Sequence, residues 1–422
     1  MHSYALLIAI VAVSILLMLV RPKNIPEVVW VSSGAVLLVV LGLISLGDAA
    51  RAAAKGSDVY FFLTGMMLLS ELAREQGVFD WVSGQAVRLA GNSASRLFTL
   101  VYGVGTLVTI GMSNDATAVV LTPAVLSAVK KSGAPPLPYL FSCAMIANAA
   151  SFVLPISNPA NLVVFHDGMP PLRSWLASFS LPSLLSIVAT YLVLRWWFRD
   201  ELTGEFESQD EEEPELKPAG KLVIAGLVLV IAVLLGASAK NVDLGLPTLI
   251  AALVIVSVTC VKAHSNPLKL AKEVSWSTLL LVAGLFVMVE AVEKIGLLDL
   301  TQAALLWAQR LSVAPGVFVT GFVVAIGNNL VNNLPLGLVA GSTIHAARAT
   351  GALVSATLVG VDLGPNLSVT GSLATILWLI VLRREGQSVS FWDFLKVGAI
   401  AMPVALAFAL AGLLAIQALT GH

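Results

Sequence analysis

Long apolar runs separated by short polar breaks dominate this chain, and a helix needs ~20 such residues to cross the hydrocarbon core of a bilayer. Runs of that kind lie near residues 4–20, 28–46, 57–73, 138–165 and 173–197, and again near 220–238, 245–262, 275–292, 352–382 and 390–419. Two more apolar stretches, about 97–130 and 314–347, are interrupted halfway by Ser113-Asn114-Asp115 and by the run from Asn328 to Pro335. They predict re-entrant hairpins, because backbone that leaves the helix at membrane depth persists only where protein or a water-lined cavity satisfies it. The runs at 138–165 and 352–382 are also broken, by Pro155-Ile156-Ser157-Asn158-Pro159 and by Gly364-Pro365-Asn366. Proline lacks an amide hydrogen and clashes with the preceding turn.

The pattern occurs twice. Gly65, Glu71, Gly77 and Asp80 return as Gly284, Glu290, Gly296 and Asp299, an offset of 219 residues (290 − 71), and the same offset carries Ser113 and Asn114 onto Asn332 and Asn333. In the broken runs the register slips by about six residues. Five spans and one hairpin per half would insert the second half upside down. The expected fold is therefore an all-α polytopic membrane protein of two inverted repeats, with about 10 transmembrane helices, two re-entrant hairpins and two broken helices. The first repeat covers residues 1–199, a linker 200–220, and the second repeat 221–422.

Charge sets the expected orientation. With the N-terminus outside, 17 of the 24 Lys and Arg residues fall on the cytoplasmic side and 7 on the other, as the positive-inside rule requires. Both termini are then outside a plasma membrane, the bacterial inner membrane, with the first hairpin entering from the cytoplasm and the second from outside. The first run has no cationic leader or small-residue cleavage site and reads as a retained helix. The linker carries Asp200, Glu201, Glu205, Glu207, Asp210, Glu211, Glu212, Glu213 and Glu215 and reads as a solvated cytoplasmic connection.

Composition agrees: 58% hydrophobic and 12% charged residues, with a mean hydropathy of +0.91, exclude a water-soluble domain. A net charge of −1 gives no sign of nucleic-acid binding. Cys143 and Cys260 lack metal-ligand spacing, and no cofactor is expected. Cys143 is read chiefly as a small apolar filler, with a thiol contact to a soft metalloid as the sharper alternative.

The polar clusters carry the chemistry. Ser113, Asn114, Asp115 and Thr117 gather at the first hairpin tip, and Ser157, Asn158 and Asn161 at the first broken helix. The second half supplies Asn328, Asn329, Asn332 and Asn333, then Asp362, Asn366, Ser368, Thr370 and Ser372. Such residues also cap helices and stitch them together in lipid, but paired clusters at equivalent repeat positions point to a transport site, since buried polar groups are costly. The candidate solute contacts are Ser113, Asn114, Thr117, Asn158, Asn161, Asn329, Asn332, Asn333, Asn366, Thr370 and Ser372. Asp115 and Asp362 are the carboxylates among them, and burial at membrane depth favours the protonated acid, which suits proton coupling. Glu71 and Glu290 are expected to snorkel at span ends, and His166 and His345 to be solvated beside outer loops.

These motifs resemble the arsenical-resistance efflux permeases, the arsenite and antimonite transporters of the ion-transporter superfamily. The resemblance rests on Ser113-Asn114-Asp115-Ala116-Thr117-Ala118 with Leu121-Thr122-Pro123, on Leu154-Pro155-Ile156-Ser157-Asn158-Pro159-Ala160-Asn161-Leu162, on Asn328-Asn329-Leu330-Val331-Asn332-Asn333-Leu334-Pro335, and on Gly364-Pro365-Asn366-Leu367 with Gly371-Ser372-Leu373-Ala374-Thr375. It implies export of arsenite or antimonite from the cytoplasm by proton antiport, and family members also work with a separate soluble ATPase. The chain itself has no Gly-x-x-x-x-Gly-Lys loop and reads as a transporter rather than an enzyme. Arsenite at neutral pH is a small uncharged trihydroxide that amides and hydroxyls can hold, and the scarcity of Lys and Arg in the clusters argues against an anion. A sodium/proton antiporter, or an exporter of another neutral hydroxide such as silicic acid, would use the same residues. A membrane enzyme or passive channel fits less well, without a Ser-His pair or metal constellation. The expected motion has hairpins and broken helices rocking against a scaffold of the remaining spans.

Overall fold

The apolar runs fold as helices that end where glycine, proline or a capping side chain interrupts them. The computed structural model describes residues 2–166, 168–204 and 215–420, which form twenty α-helices and no strand. The first half contains α1 (His2–Val20), α2 (Glu27–Val40), α3 (Leu46–Lys55), α4 (Ser57–Glu75), α5 (Val78–Ala90), α6 (Ala94–Gly111), α7 (Thr122–Ser132), α8 (Leu137–Ala149), α9 (Pro159–Val164) and α10 (Leu172–Trp197). The second contains α11 (Pro218–Ala239), α12 (Gly245–Ala263), α13 (Pro267–Glu273), α14 (Trp276–Glu293), α15 (Leu297–Arg310), α16 (Val313–Val331), α17 (Asn333–Ala347), α18 (Ala352–Leu363), α19 (Leu373–Arg384) and α20 (Phe391–Thr420).

Among the described residues, seven helices are long and apolar enough to cross a bilayer: α6, α10, α11, α12, α14, α16 and α20. Helices α1, α2 and α8 are apolar but shorter. Leu16, Val36, Leu229 and Val323 on such helices are each more than half exposed, as a lipid-facing surface requires. The chain is a multi-pass membrane protein. Helices α6 and α16, the first hairpin arms, reach 18 and 19 residues. Both arms of each hairpin pack on the short helix before them, α5 for α6 and α7, α15 for α16 and α17, so the chain doubles back at the polar tips.

Helix pairings recur with the halves exchanged. Helix α4 packs on α12 as α14 packs on α2, α6 on α8 as α16 on α18, α9 on α17 as α19 on α7, and α3 on α14 as α13 on α4. The repeated motif explains part of this. A methyl at Gly65 would stand 2.8 Å from Thr248 Cγ2, and one at Gly284 2.8 Å from Val31 Cγ1, so each glycine lets a neighbouring helix cross closely. Gly77 and Gly296 turn the chain into α5 and α15 at φ 71° and 84°, a region that carries little steric cost only for glycine. Asp80 and Asp299 lie in the first turns of those helices, where the N-terminal dipole favours an anion.

Packing gathers α1–α4 with α11–α14 into one body and α5–α10 with α15–α20 into another. Helices α10 and α20 cross each other and cover α8, α16 and α18, so they join the broken helices rather than the scaffold to which the sequence assigned them. Most of the acidic linker, 205–214, lies outside the described residues. Its flanks are anchored: Leu202 and Leu216 are buried, and the Ala94 amide donates to the Gly204 carbonyl at 3.3 Å.

Candidate functional site

Each interrupted helix restarts on a side-chain cap. Asn158 Oδ1 accepts from the Ala160 amide at 3.0 Å to begin α9, and Ser372 Oγ accepts from the Thr375 amide at 3.1 Å to begin α19. These caps fix the register of the broken helices at an offset of 214 residues (372 − 158), which pairs Asn148 with Asp362 and Asn161 with Thr375. At the hairpin tips, Ser113 Oγ accepts from the Ala116 amide at 3.2 Å and Asn332 Oδ1 from the Leu334 amide at 3.4 Å. Capping satisfies amides that a helix start otherwise leaves unpaired.

The two broken helices are tied across the halves. Asn158 Nδ2 donates to Asp362 Oδ1 at 2.7 Å, and Asn148 Nδ2 donates to Asn366 Oδ1 at 2.9 Å. Asn366 donates in turn to the Met145 carbonyl at 3.0 Å. All four side chains are buried.

A cavity of about 20 Å³ lies where the tips and breaks meet, lined by Asn114, Asp115, Asn158, Thr278 and Asn333. That is room for about one water molecule. It adjoins a larger cavity of about 150 Å³ in the seam between the two bodies. One wall carries Met67, Ser70, Glu71, Glu273 and Ser275; the other carries Ser113, Asp115 and Val120. Asp115 lines both spaces, and Asp362 sits one side chain behind, bonded to Asn158.

The remaining candidates serve the frame of this centre. Thr117 meets the Thr109 hydroxyl at 2.8 Å. Asn161 donates to the Ser151 carbonyl at 2.9 Å and holds the first break together. Asn329 donates to the Gly364 carbonyl at 3.0 Å and receives the Ser368 hydroxyl at 2.7 Å, while Asn332 donates to the Thr370 carbonyl at 3.2 Å. Thr370 donates from Oγ1 to the Asn329 carbonyl at 3.1 Å. Asn328 donates to the Gly360 and Val361 carbonyls. Cys143 is fully buried in α8 and lines neither cavity. His166 is half-buried rather than solvated, its Nδ1 3.0 Å from the Val163 carbonyl. Glu71 faces the larger cavity and takes Arg74 Nε at 2.9 Å; Glu290 takes Lys55 Nζ at 2.8 Å. Both are ion-paired instead of snorkelling.

Sequence reading passed over Asn148, Ser70 and Thr278. The first was findable, as a lone amide in an apolar run at the repeat position of Asp362. The other two stand on apolar helices with nothing in the pattern to mark them.

The electrostatics of the centre lean one way. Asn148 Oδ1, Asn161 Oδ1, Asn328 Oδ1, Asn333 Oδ1 and Asp362 Oδ2 are buried without a hydrogen-bond partner among the described residues. All five are acceptors; Asn333 among them lines the small cavity, where the Asn114 and Asn333 amides and the Thr278 hydroxyl also offer donors, and neither cavity is lined by Lys or Arg. Unpaired acceptors fit a solute that brings donors or positive charge and repel one rich in carboxylates.

Comparison with known proteins accords with this architecture. A family model described as citrate transporter matches residues 5–361. The chain belongs to this family. It is a membrane transporter, and among its curated relatives is the arsenical pump membrane protein of Escherichia coli (strain K12), 28% identical over 413 residues, 93% of this chain and 94% of that protein. The arsenical pump membrane protein of Yersinia enterocolitica is 27% identical over 409 residues, with 93% and 94% covered. The resemblance drawn from the four motifs thus extends over nearly the whole length. Among solved structures, the Alcanivorax borkumensis YdaH transporter, described as having an unusual topology, aligns with a TM-score of 0.55 at 17% identity over 88% of this chain and 87% of that one. It shares the fold.

Proposed function

We propose that this transporter exports arsenite or antimonite from the cytoplasm in exchange for protons. The observation that carries the reading is a polar centre without a cation: Asn114, Asp115, Asn158 and Asn333 line the small cavity, Asn333 Oδ1 there and Asp362 Oδ2 behind it are buried and unpaired, and no cationic side chain stands on either cavity wall among the described residues. A neutral trihydroxide supplies three O–H donors to such a centre, whereas a citrate-like anion would need Arg or Lys. The names of the arsenical relatives agree with that preference over the family's own label. A sodium ion would also satisfy unpaired oxygens, so sodium/proton antiport is the second reading.

In this mechanism the α4–α13 side is cytoplasmic, following the Lys and Arg count, and a solute enters through the larger cavity to Asp115. Ionised Asp115 accepts hydrogen bonds from the solute. Protonation from the far side removes that acceptor, and Asp362 behind Asn158 relays the change between the two halves. The body of hairpins, broken helices, α10 and α20 then moves against α1–α4 and α11–α14, so the centre faces each side in turn.

Arsenite accumulation in everted membrane vesicles under an imposed pH gradient tests the reading. Wild type is expected to accumulate arsenite and Asp115→Asn to accumulate none. Gradient-driven sodium movement without arsenite uptake would replace arsenite with sodium as the cargo.

A further inference from the structure

The two ends of the seam differ at one exchanged position. Phe286 on α14 and Met67 on α4 are repeat equivalents (286 − 67 = 219), yet they do opposite things. Met67 is half-buried and lines the larger cavity. Phe286 is buried, edge-on to Tyr60 with ring centroids 6.4 Å apart at 79°, and edge-on to His166 at 6.1 Å and 82°. Tyr60 belongs to the body of α1–α4 and α11–α14, while His166 follows α9 in the other body, so the Phe286 ring bridges the seam. Both partners are themselves held: the Tyr60 hydroxyl donates to the Ala53 carbonyl at 2.8 Å, and His166 Nδ1 lies 3.0 Å from the Val163 carbonyl. The repeat equivalent of Tyr60 is Leu279 (279 − 60 = 219), which offers Met67 no ring to meet.

We propose that Phe286 is the gate of the α3–α14 mouth, closing the seam there by wedging between Tyr60 and His166, while Met67 leaves the opposite mouth open. The inference rests on the alternating-access reading and adds the residue that sets which side the centre faces. Edge-to-face pairs hold a preferred geometry, so breaking them requires the bodies to separate by a discrete step. A thioether chain is flexible and imposes no such geometry. In the opposite state Phe286 must leave His166, and the α4–α13 mouth must close around Met67.

Side-specific labelling tests this without any transport assay. In a chain carrying Cys143→Ala and Cys260→Ala, Leu334→Cys places a reporter on the wall of the small cavity, and a membrane-impermeant maleimide is applied to right-side-out or everted vesicles. With Phe286 intact, labelling is expected from the α4–α13 side. Phe286→Met should raise labelling from the α3–α14 side about tenfold, the loss expected for two edge-on ring pairs. Adding Met67→Phe to Phe286→Met should move access from the α4–α13 side to the other. The proposal is overturned if both variants, eluting from size exclusion as the parent does, label like the parent. Because the readout is access, a chain that moves sodium and no arsenite still answers the question.

Discussion

The two mouths of the seam are built from equivalent helices and end differently. At one, Arg74 folds back along α4 onto Glu71 at 2.9 Å and stays 4.0 Å from Glu273 of α13, and a cavity of about 150 Å³ leads from there to Asp115. At the other, Glu290 of α14 takes Lys55 of α3 at 2.8 Å, Asp48 of α3 takes Lys294, and Phe286 fills the seam beneath. A duplicated fold would give two equal mouths if backbone alone decided. The difference lies in side chains, so the state of the transporter is recorded in which equivalent contacts are made, and the centre between them belongs to both.

The sharpest way to break that comparison is at the shared centre. Asn158 lines the small cavity from the first half and donates to Asp362 of the second. Asn158→Ala removes the bonded partner of a carboxyl whose other oxygen is already unpaired, and stranding a buried polar group costs ~1–3 kcal/mol. Gradient-driven arsenite uptake should fall by roughly ten- to hundredfold. Asp362→Asn should do the same, and the double variant should be no worse than the poorer single, as for residues that act as one unit. Losses that simply add would separate the two residues and leave each mouth with its own centre.

A smaller effect tests whether the two equivalent crossings of the scaffold are equally tight. Gly65 lets α12 pass against α4, and Gly284 lets α2 pass against α14 at the equivalent crossing of the other half. A methyl at Gly65 would meet the Thr248 side chain at 2.8 Å and its carbonyl oxygen at 2.9 Å, whereas one at Gly284 would meet Val31 Cγ1 at 2.8 Å with backbone only at 3.5 Å. A side chain can turn aside and a backbone cannot. Overpacking costs about 1–3 kcal/mol, so both Gly→Ala variants should lower the midpoint of thermal unfolding in detergent, Gly65→Ala by more. The reverse order would make the α2–α14 crossing the more rigid of the two.

Much of this was legible in the sequence, for identifiable reasons. Helices, hairpin tips and breaks follow from apolar run length and from proline and glycine, which act locally. The repeat in Gly65, Glu71, Gly77 and Asp80 was visible because each residue answers a backbone or helix-end requirement that recurs with the fold. Less visible was which polar residue faces the cavity. Asn114 and Asn329 look alike in sequence, yet one lines the centre and the other knits the second hairpin to its broken helix. That distinction depends on packing between halves over 200 residues apart, as in Asn158 and Asp362 (362 − 158 = 204). Helices α10 and α20 were misassigned for a related reason: their apolar pattern shows that they are buried or lipid-facing, but not against which body.

The smallest expected effect concerns pH, and it separates the closed mouth from the proton chemistry. Asp48 on α3 is partly exposed, and its hydrogen bonds with the Lys294 ammonium and Ser45 hydroxyl hold its carboxyl at about 2, below the ordinary 3.8. For a carboxyl depressed in the folded state, the contribution is fully present above the ordinary value and is lost only as pH falls toward the lowered one. Across about pH 5 to 8, well above that lowered value, Asp48 therefore stays ionised and its bond to Lys294 does not titrate. Asp48→Asn should leave the shape of the pH–uptake curve unchanged, with at most a modest change in its height, because exposed ion pairs contribute little. The curve is measured in everted vesicles with the outer bath stepped across that range. A shifted midpoint in Asp48→Asn would mean that protons act on the α3–α14 mouth itself, and Asp115 would then be a solute contact without a coupling role. An unchanged midpoint leaves the centre as the place where protons act and makes the closed mouth a mechanical barrier, opened by movement of the bodies.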